Sequence, residues 1–257
     1  MHSLSQIWTL ARNTFRENLR DKILYNLLFF AVFLIGISIV LADLSIMEHR
    51  KIVTDIGLAS INLVGVMIAI FVGIGLVSKE IERRTAYVIL AKPISRARFI
   101  LGKYLGLLLT LGVNVGIMWL VFLGTLQVYQ APVHLGLFQA LLLMFVELAL
   151  VTAVALFFST FTSATLSAIF TLGLYVIGHL TADLRAIVAK TADQALMLGV
   201  NVLYYLCPNL ELLNMKGPAG AGQTEPLAYV AYASAYGLVY ATLVLAIACV
   251  VFERRNF

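Results

Sequence analysis

The sequence predicts an all-α, polytopic membrane protein with six transmembrane helices, and three observations carry that prediction. Apolar residues make up 61% of the 257-residue chain and charged residues 12%, against roughly half and a quarter in soluble domains. Apolar runs near the ~20 residues needed to cross a bilayer core recur along the whole chain. They fall at 23–41, 56–77, 104–126, 135–158, 164–180 and 227–252, the fifth being the shortest. The runs are continuous rather than alternating. Backbone amides in hydrocarbon must be bonded internally, so such runs are helices and not barrel strands. The chain, 1–257, therefore reads as a single transmembrane domain.

Charge placement sets the expected orientation. With six spans, both termini share one side with the segments at 78–103 and 159–163. That side carries Arg12, Arg16, Arg20, Lys22, Lys79, Arg83, Arg84, Lys92, Arg96, Arg98, Lys103, Arg254 and Arg255, thirteen cations. The opposite side carries five, Arg50, Lys51, Arg185, Lys190 and Lys216. Under the positive-inside rule both termini are cytoplasmic, in a multi-pass protein of the inner or plasma membrane. The net charge of +5 is thus gathered on one membrane face, where anionic lipid headgroups account for it, and does not point to nucleic acid.

Residues 1–22 precede the first span. Leu4, Ile7, Trp8, Ala11, Phe15 and Leu19 follow helical spacing, and Arg12, Arg16 and Arg20 line another face at intervals of four. Such a helix lies at the interface, its apolar side toward the acyl boundary and its arginines toward phosphates. It serves as an anchor, as an elbow bordering a cytoplasmic partner, or as both. Trp8, Arg12, Phe15, Arg16 and Arg20 are the expected interface residues. The segment is polar and charged rather than apolar, and does not have the form of a cleavable signal peptide.

The segment 79–98 is the longest charged surface. Ile81, Thr85, Val88 and Ile89 recur at helical intervals, broadened by Tyr87 and Leu90. Pro93 ends that helix, and Ser95 is placed to cap a new one that begins near Arg96 and continues into the third span. The third span carries Gly102-Lys-Tyr-Leu-Gly106 and Gly112-Val-Asn-Val-Gly116, small residues four apart that favour close packing, expected within the monomer rather than at a dimer seam.

Glu147 is the only carboxylate deep in an apolar run. A charge there must face the bundle or water, find a partner, or take up a proton. It is either a coupling or cavity-lining carboxylate, or a structural hydrogen-bonding group reaching Asn62 or Asn114 on other spans. The second is preferred, because no ionisable group stands at a clearly similar depth; His179 reads as interfacial. The segment 181–226 is extracytoplasmic. Its apolar stretch 195–207 is about 13 residues long, a length suited to a re-entrant or interfacial helix; Pro208 breaks it, and 217–222 reads as a flexible turn.

Catalytic signatures are missing: there is no phosphate-cradling loop, dinucleotide fingerprint, H-E-x-x-H or G-x-S-x-G. Four scattered histidines and two distant cysteines, Cys207 and Cys249, offer neither a metal spacing nor a disulfide framework. No enzyme and no metal site is expected.

The chain resembles the membrane subunits of type-2 ATP-binding-cassette (ABC) transporters over nearly its full length. The most specific part is the segment before the third span, where Glu80, Glu82, Arg83, Thr85, Leu90, Pro93, Ser95, Arg96, Gly102 and Lys103 match the family's pattern. Arg84 stands where the family often has glycine. Pro208-Asn209-Leu210-Glu211-Leu212 is similar to the branch grouped with multicopper-enzyme maturation systems. The resemblance implies an exporter permease, a homodimer or a pair with a similar permease, bound to two copies of a separate ABC ATPase that holds ATP and Mg. It makes Glu80, Glu82, Arg83, Arg84, Thr85, Tyr87, Val88, Leu90, Pro93, Ser95 and Arg96 the ATPase-coupling residues. Two other readings stay open: an ion-coupled secondary transporter using Glu147, and a membrane scaffold across which nothing passes.

Overall fold

The computed structural model describes residues 2–44, 49–82, 95–188 and 194–254, and among these all regular structure is helical. Helix α1 (His2–Asn18) is followed by α2 (Lys22–Asp43), whose start is capped by the Asp21 carboxylate accepting from Ile23 N at 3.0 Å. Then come α3 (His49–Glu82), α4 (Arg96–Val128), α5 (Leu135–Ser159) and α6 (Ala164–Val188). A short α7 (Gln194–Leu206), a 3-10 turn (Leu210–Leu213) and α8 (Lys216–Gly220) lead to α9 (Leu227–Arg254).

Among the described residues six helices are long and apolar enough to cross a membrane: α2, α3 over His49–Gly75, α4, α5, α6 over Ala164–Thr181, and α9. These are the six expected spans, the α6 segment again the shortest at 18 residues.

The helices are not equivalent. In both α3 and α5, 72% of the most apolar window is buried, against 28% in α2 and α9 and 22% in α6. Helix α5 has no polar face, and every residue from Val146 to Leu156 is buried, as expected of a helix that is apolar all round. It forms the axis of the bundle. Gly65 lets α3 approach it closely: a Cβ at that position would lie 2.6 Å from Leu148 Cδ1.

Two local expectations change. Lys79–Glu82 continue the helix of α3, because helical hydrogen bonding does not stop where hydropathy falls, and the rest of the expected loop helix lies outside the described residues. The stretch 217–222 is not an open turn. Lys216–Gly220 is helical, Pro218 being tolerated in a first turn, and only Gly222 takes a positive φ, +78°.

Candidate functional site

Two polar assemblies interrupt the apolar bundle, one at each end. The first joins α1, the start of α4 and the end of α9, and defines the elbow face. Ser95 is extended, and its hydroxyl accepts from Arg98 N at 3.4 Å, the expected cap. The Arg96 guanidinium donates to Phe252 O and Glu253 O, both at 3.1 Å. These carbonyls belong to the last turn of α9, where the helix lacks internal donors and its dipole favours a cation. The Arg98 guanidinium donates to Gln6 Oε1 at 2.9 Å, and Phe99 stacks on Phe252 with centroids 5.9 Å apart. Lys103, almost wholly buried, reaches Glu17 at 3.5 Å.

The glycines of α4 explain how α1 seats. A Cβ on Gly102 would lie 2.5 Å from Leu10 Cβ, and one on Gly106 would lie 2.7 Å from Ala11 O. The first small-residue pair is therefore an intramolecular seat for the elbow helix, as expected. The second is not used in this way: Gly112 meets only the Phe145 ring edge, and nothing lies within 4 Å of Gly116.

Helix α1 buries Ala11, Thr14 and Asn18 against α4, and Asn18 Nδ2 donates to Thr110 Oγ1 at 3.0 Å. The face buried against α4 is thus distinct from the apolar stripe assigned to the acyl boundary. Trp8 is 60% exposed, Phe15 is half-buried, and Arg12, Arg16 and Arg20 are exposed. Small and polar residues win the protein contact because they fit the glycine face, leaving the bulky ones outward.

Of the coupling residues, Ser95 and Arg96 form this base. Glu80 and Glu82 lie in the last helical turn of α3. Arg83, Arg84, Thr85, Tyr87, Val88, Leu90 and Pro93 lie outside the described residues. Nearby, a cleft of about 380 Å³ opens between α1, α2 and α3, with Glu17, Asn18 and Asp21 beside apolar Leu27, Met67 and Phe71.

The second assembly lies toward the opposite end, here the cap face. Glu147 on α5 is fully buried. Its Oε2 accepts from Asn62 Nδ2 on α3 at 3.2 Å, and its Oε1 lies 2.9 Å from His179 Nε2 on α6. His179 Nδ1 lies 3.2 Å from Glu211 Oε2 in the 3-10 turn, and Asn214 Nδ2 donates to both oxygens of Glu211, at 3.0 and 3.2 Å. Tyr175 donates to Asn62 Oδ1 at 3.3 Å, with its ring 4.8 Å from the His179 ring.

The expected Asn62 partner of Glu147 is present. Asn114 is not a partner: its amide donates to Thr110 O in its own helix at 2.8 Å, and its Oδ1 is buried with no hydrogen bond.

The expectation that no ionisable group shares the depth of Glu147 is corrected by His179. The apolar run ends near Leu180, which places His179 at the interface, yet α6 continues to Val188. The candidate span itself ends at Thr181, just beyond His179, and it is the 2.9 Å contact with Glu147 that brings the ring to the carboxylate. The readable signal was the i, i+4 pair Tyr175 and His179 together with Glu211 just past Pro208.

The cap is fastened at further points. Gln139 and Glu225 exchange two hydrogen bonds, Gln139 Nε2 to Glu225 O at 2.8 Å and Glu225 N to Gln139 Oε1 at 3.1 Å. His134 Nε2 meets Ala219 O at 3.0 Å, and Tyr229 donates to Leu212 O at 3.0 Å. Leu210, Leu213, Met215 and Ala219 are buried beneath it. At its margin, burial pushes the Cys207 thiol above its ordinary value. Between the ends of α2 and α4, donation to Asp43 at 2.7 Å raises the Tyr129 phenol.

Among the described residues no group of three or more histidine, cysteine or acidic side chains is disposed to hold a metal ion. Among the described residues, an all-helical bundle of six apolar spans defines a multi-pass membrane protein. More particularly, the chain belongs to the ABC-2 family of transporter proteins, whose pattern matches residues 8–257. It is a membrane permease subunit of an ABC transporter, the transmembrane component and not itself catalytic. No curated protein matches the chain significantly.

Proposed function

We propose that this permease is the membrane half of an exporter driven by a separate ABC ATPase, with 79–98 as the coupling segment. The observation that carries this reading is the clamp at the base of that segment. Arg96 holds the end of α9 and Arg98 holds α1. A push delivered to residues 80–94 therefore moves three elements together rather than bending one loop. ATP and Mg are held by the ATPase, and this chain supplies the surface that receives its closure. Two ATPase copies would serve two permeases, a homodimer or a pair of similar chains. Both termini and the elbow face are then cytoplasmic, in the inner or plasma membrane, with α1 resting against lipid through Trp8 and its arginines.

The cleft between α1, α2 and α3 combines a polar group of residues with an apolar wall and opens beside the elbow. That composition suits an amphiphile drawn from the lipid leaflet.

The test is co-purification of the ATPase with Glu82→Lys and Arg84→Glu chains from solubilised membranes. Association should fall about tenfold, the effect of losing one charged contact, while helicity is unchanged. Undiminished recovery with both variants would remove 79–98 from the interface.

A further inference from the structure

We infer that Glu147, His179 and Glu211 form a proton-binding site that fills from the cap face and holds the cap on the bundle. The argument is a count of hydrogens. Both ring nitrogens of His179 face carboxylate oxygens, Nε2 at 2.9 Å from Glu147 and Nδ1 at 3.2 Å from Glu211. A neutral imidazole carries one N–H and one bare lone pair. One of the two contacts would then set a lone pair against a carboxylate oxygen. Both become hydrogen bonds only when the trio holds one more proton, either as imidazolium or as a carboxylic acid.

The remaining acceptor positions do not relieve this. Asn62 donates to the other oxygen of Glu147, and Asn214 donates to Glu211. Asn62 is in turn fixed by Tyr175.

The surrounding charges act in both directions. Helix α6 adds Tyr175, α8 adds Lys216, whose charge reaches His179, and α9 adds Tyr229, which faces Glu211. Helix α7 packs on α6 with Tyr204 and Tyr205, both lying against Arg185 instead. Glu225 is held at Gln139, and α3 contributes the neutral Asn62. The two carboxylates favour a proton on the trio, and the Lys216 ammonium opposes it.

Exposure grades along the trio. The side chains of Glu211, His179 and Glu147 are 44%, 18% and 1% accessible. A proton arriving on Glu211 passes to Nδ1 as Nε2 gives its own to Glu147, and the reverse transfer empties the site. Separations of 2.9 and 3.2 Å are hydrogen-bond lengths, each spanned by one hydrogen, and among the described residues no group is disposed to hold a metal ion. The ligand is therefore a proton. When it leaves, repulsion at the ring separates the 3-10 turn from α6 and loosens the cap seated through Leu210 and Leu213.

The experiment uses the full chain in lipid nanodiscs with nitrogen-labelled histidine, and neither ATPase nor cargo, so its outcome is separate from the transport reading. The His179 signal is assigned with His179→Gln. Near neutral pH the ring should be doubly protonated, or a carboxylic-acid infrared band should be present and vanish in Glu147→Gln or Glu211→Gln. Raising the pH should release one proton per chain and increase amide exchange across 209–222 by about tenfold, after correction for intrinsic rates. In Glu147→Gln the amide can donate to the ring, so both the release and the pH-dependent exchange should disappear while helicity persists. A singly protonated ring with no carboxylic-acid band, or a release unchanged in Glu147→Gln, would overturn the proposal.

Discussion

The two ends of this bundle are closed by different chemistry. At the elbow face, glycines bring α1 against the backbone of α4, and permanently charged guanidiniums hold carbonyls and amides of neighbouring elements. At the cap face, a short turn is held through a carboxylate–imidazole–carboxylate chain and a few backbone bonds. The first closure depends on shape and on charges that do not titrate under ordinary conditions. The second depends on protonation and on groups that water can reach. On the proposed function, force enters at one end and the other opens, and the two closures suit those tasks: backbone contact resists bending, whereas a titratable latch releases.

The contrast is most directly broken at the buried end of the latch. Glu147→Ala leaves His179 and Asn62 facing a fully buried gap. Removing one member of a buried pair costs about 3–5 kcal/mol, so thermal unfolding in nanodiscs should show the largest loss of any variant here. His179→Gln should cost less, because its amide can donate to Glu147 from a similar position. Equal stability of Glu147→Ala and the wild type would mean that water already satisfies the site.

The elbow comes next. Gly106→Leu drives a side chain toward Ala11 O and Thr14, and overpacking of this kind costs about 1–3 kcal/mol, the upper end where backbone is the obstacle. Gly116→Leu, on the same helix with open space around it, is the control and should be near neutral. Damage from Gly116→Leu alone would reveal that this face of α4 meets a second chain.

The sequence exposed these features unevenly, for physical reasons. Six spans were legible because about 20 apolar residues have few uses outside a membrane. The Ser95 cap was legible because an N-cap is a local hydrogen bond. The face that α1 sets against α4 was not legible, since hydrophobicity marks what avoids water and does not separate lipid from protein. Glycines opposite, not apolar size, chose Ala11 and Thr14. His179 was missed because its contact with Glu147 depends on how α6 packs against α5, which hydropathy does not record. Asn62 was found and Asn114 was not excluded, because bonding to one's own helix leaves no trace in spacing.

The smallest expected effect tests how the elbow face is divided between cap and clamp. Ser95→Ala removes one acceptor at a long 3.4 Å, so it should cost about 0.5–1 kcal/mol, the low end for a cap. Arg96→Ala removes two donors from the end of α9, and hydrogen bonds involving a charged group are worth about 1.5–3 kcal/mol when both partners are sheltered. Arg96 is only half-buried and solvent can replace part of this, so its loss should fall near or below the bottom of that range. The two variants separate in kind as well as size. Ser95→Ala should fray the start of α4 alone, whereas Arg96→Ala should also raise amide exchange at the end of α9. If α9 exchange is unmoved in Arg96→Ala, the clamp does not couple these helices, and a push on 80–94 would reach α9 through apolar packing such as the Phe99–Phe252 stack.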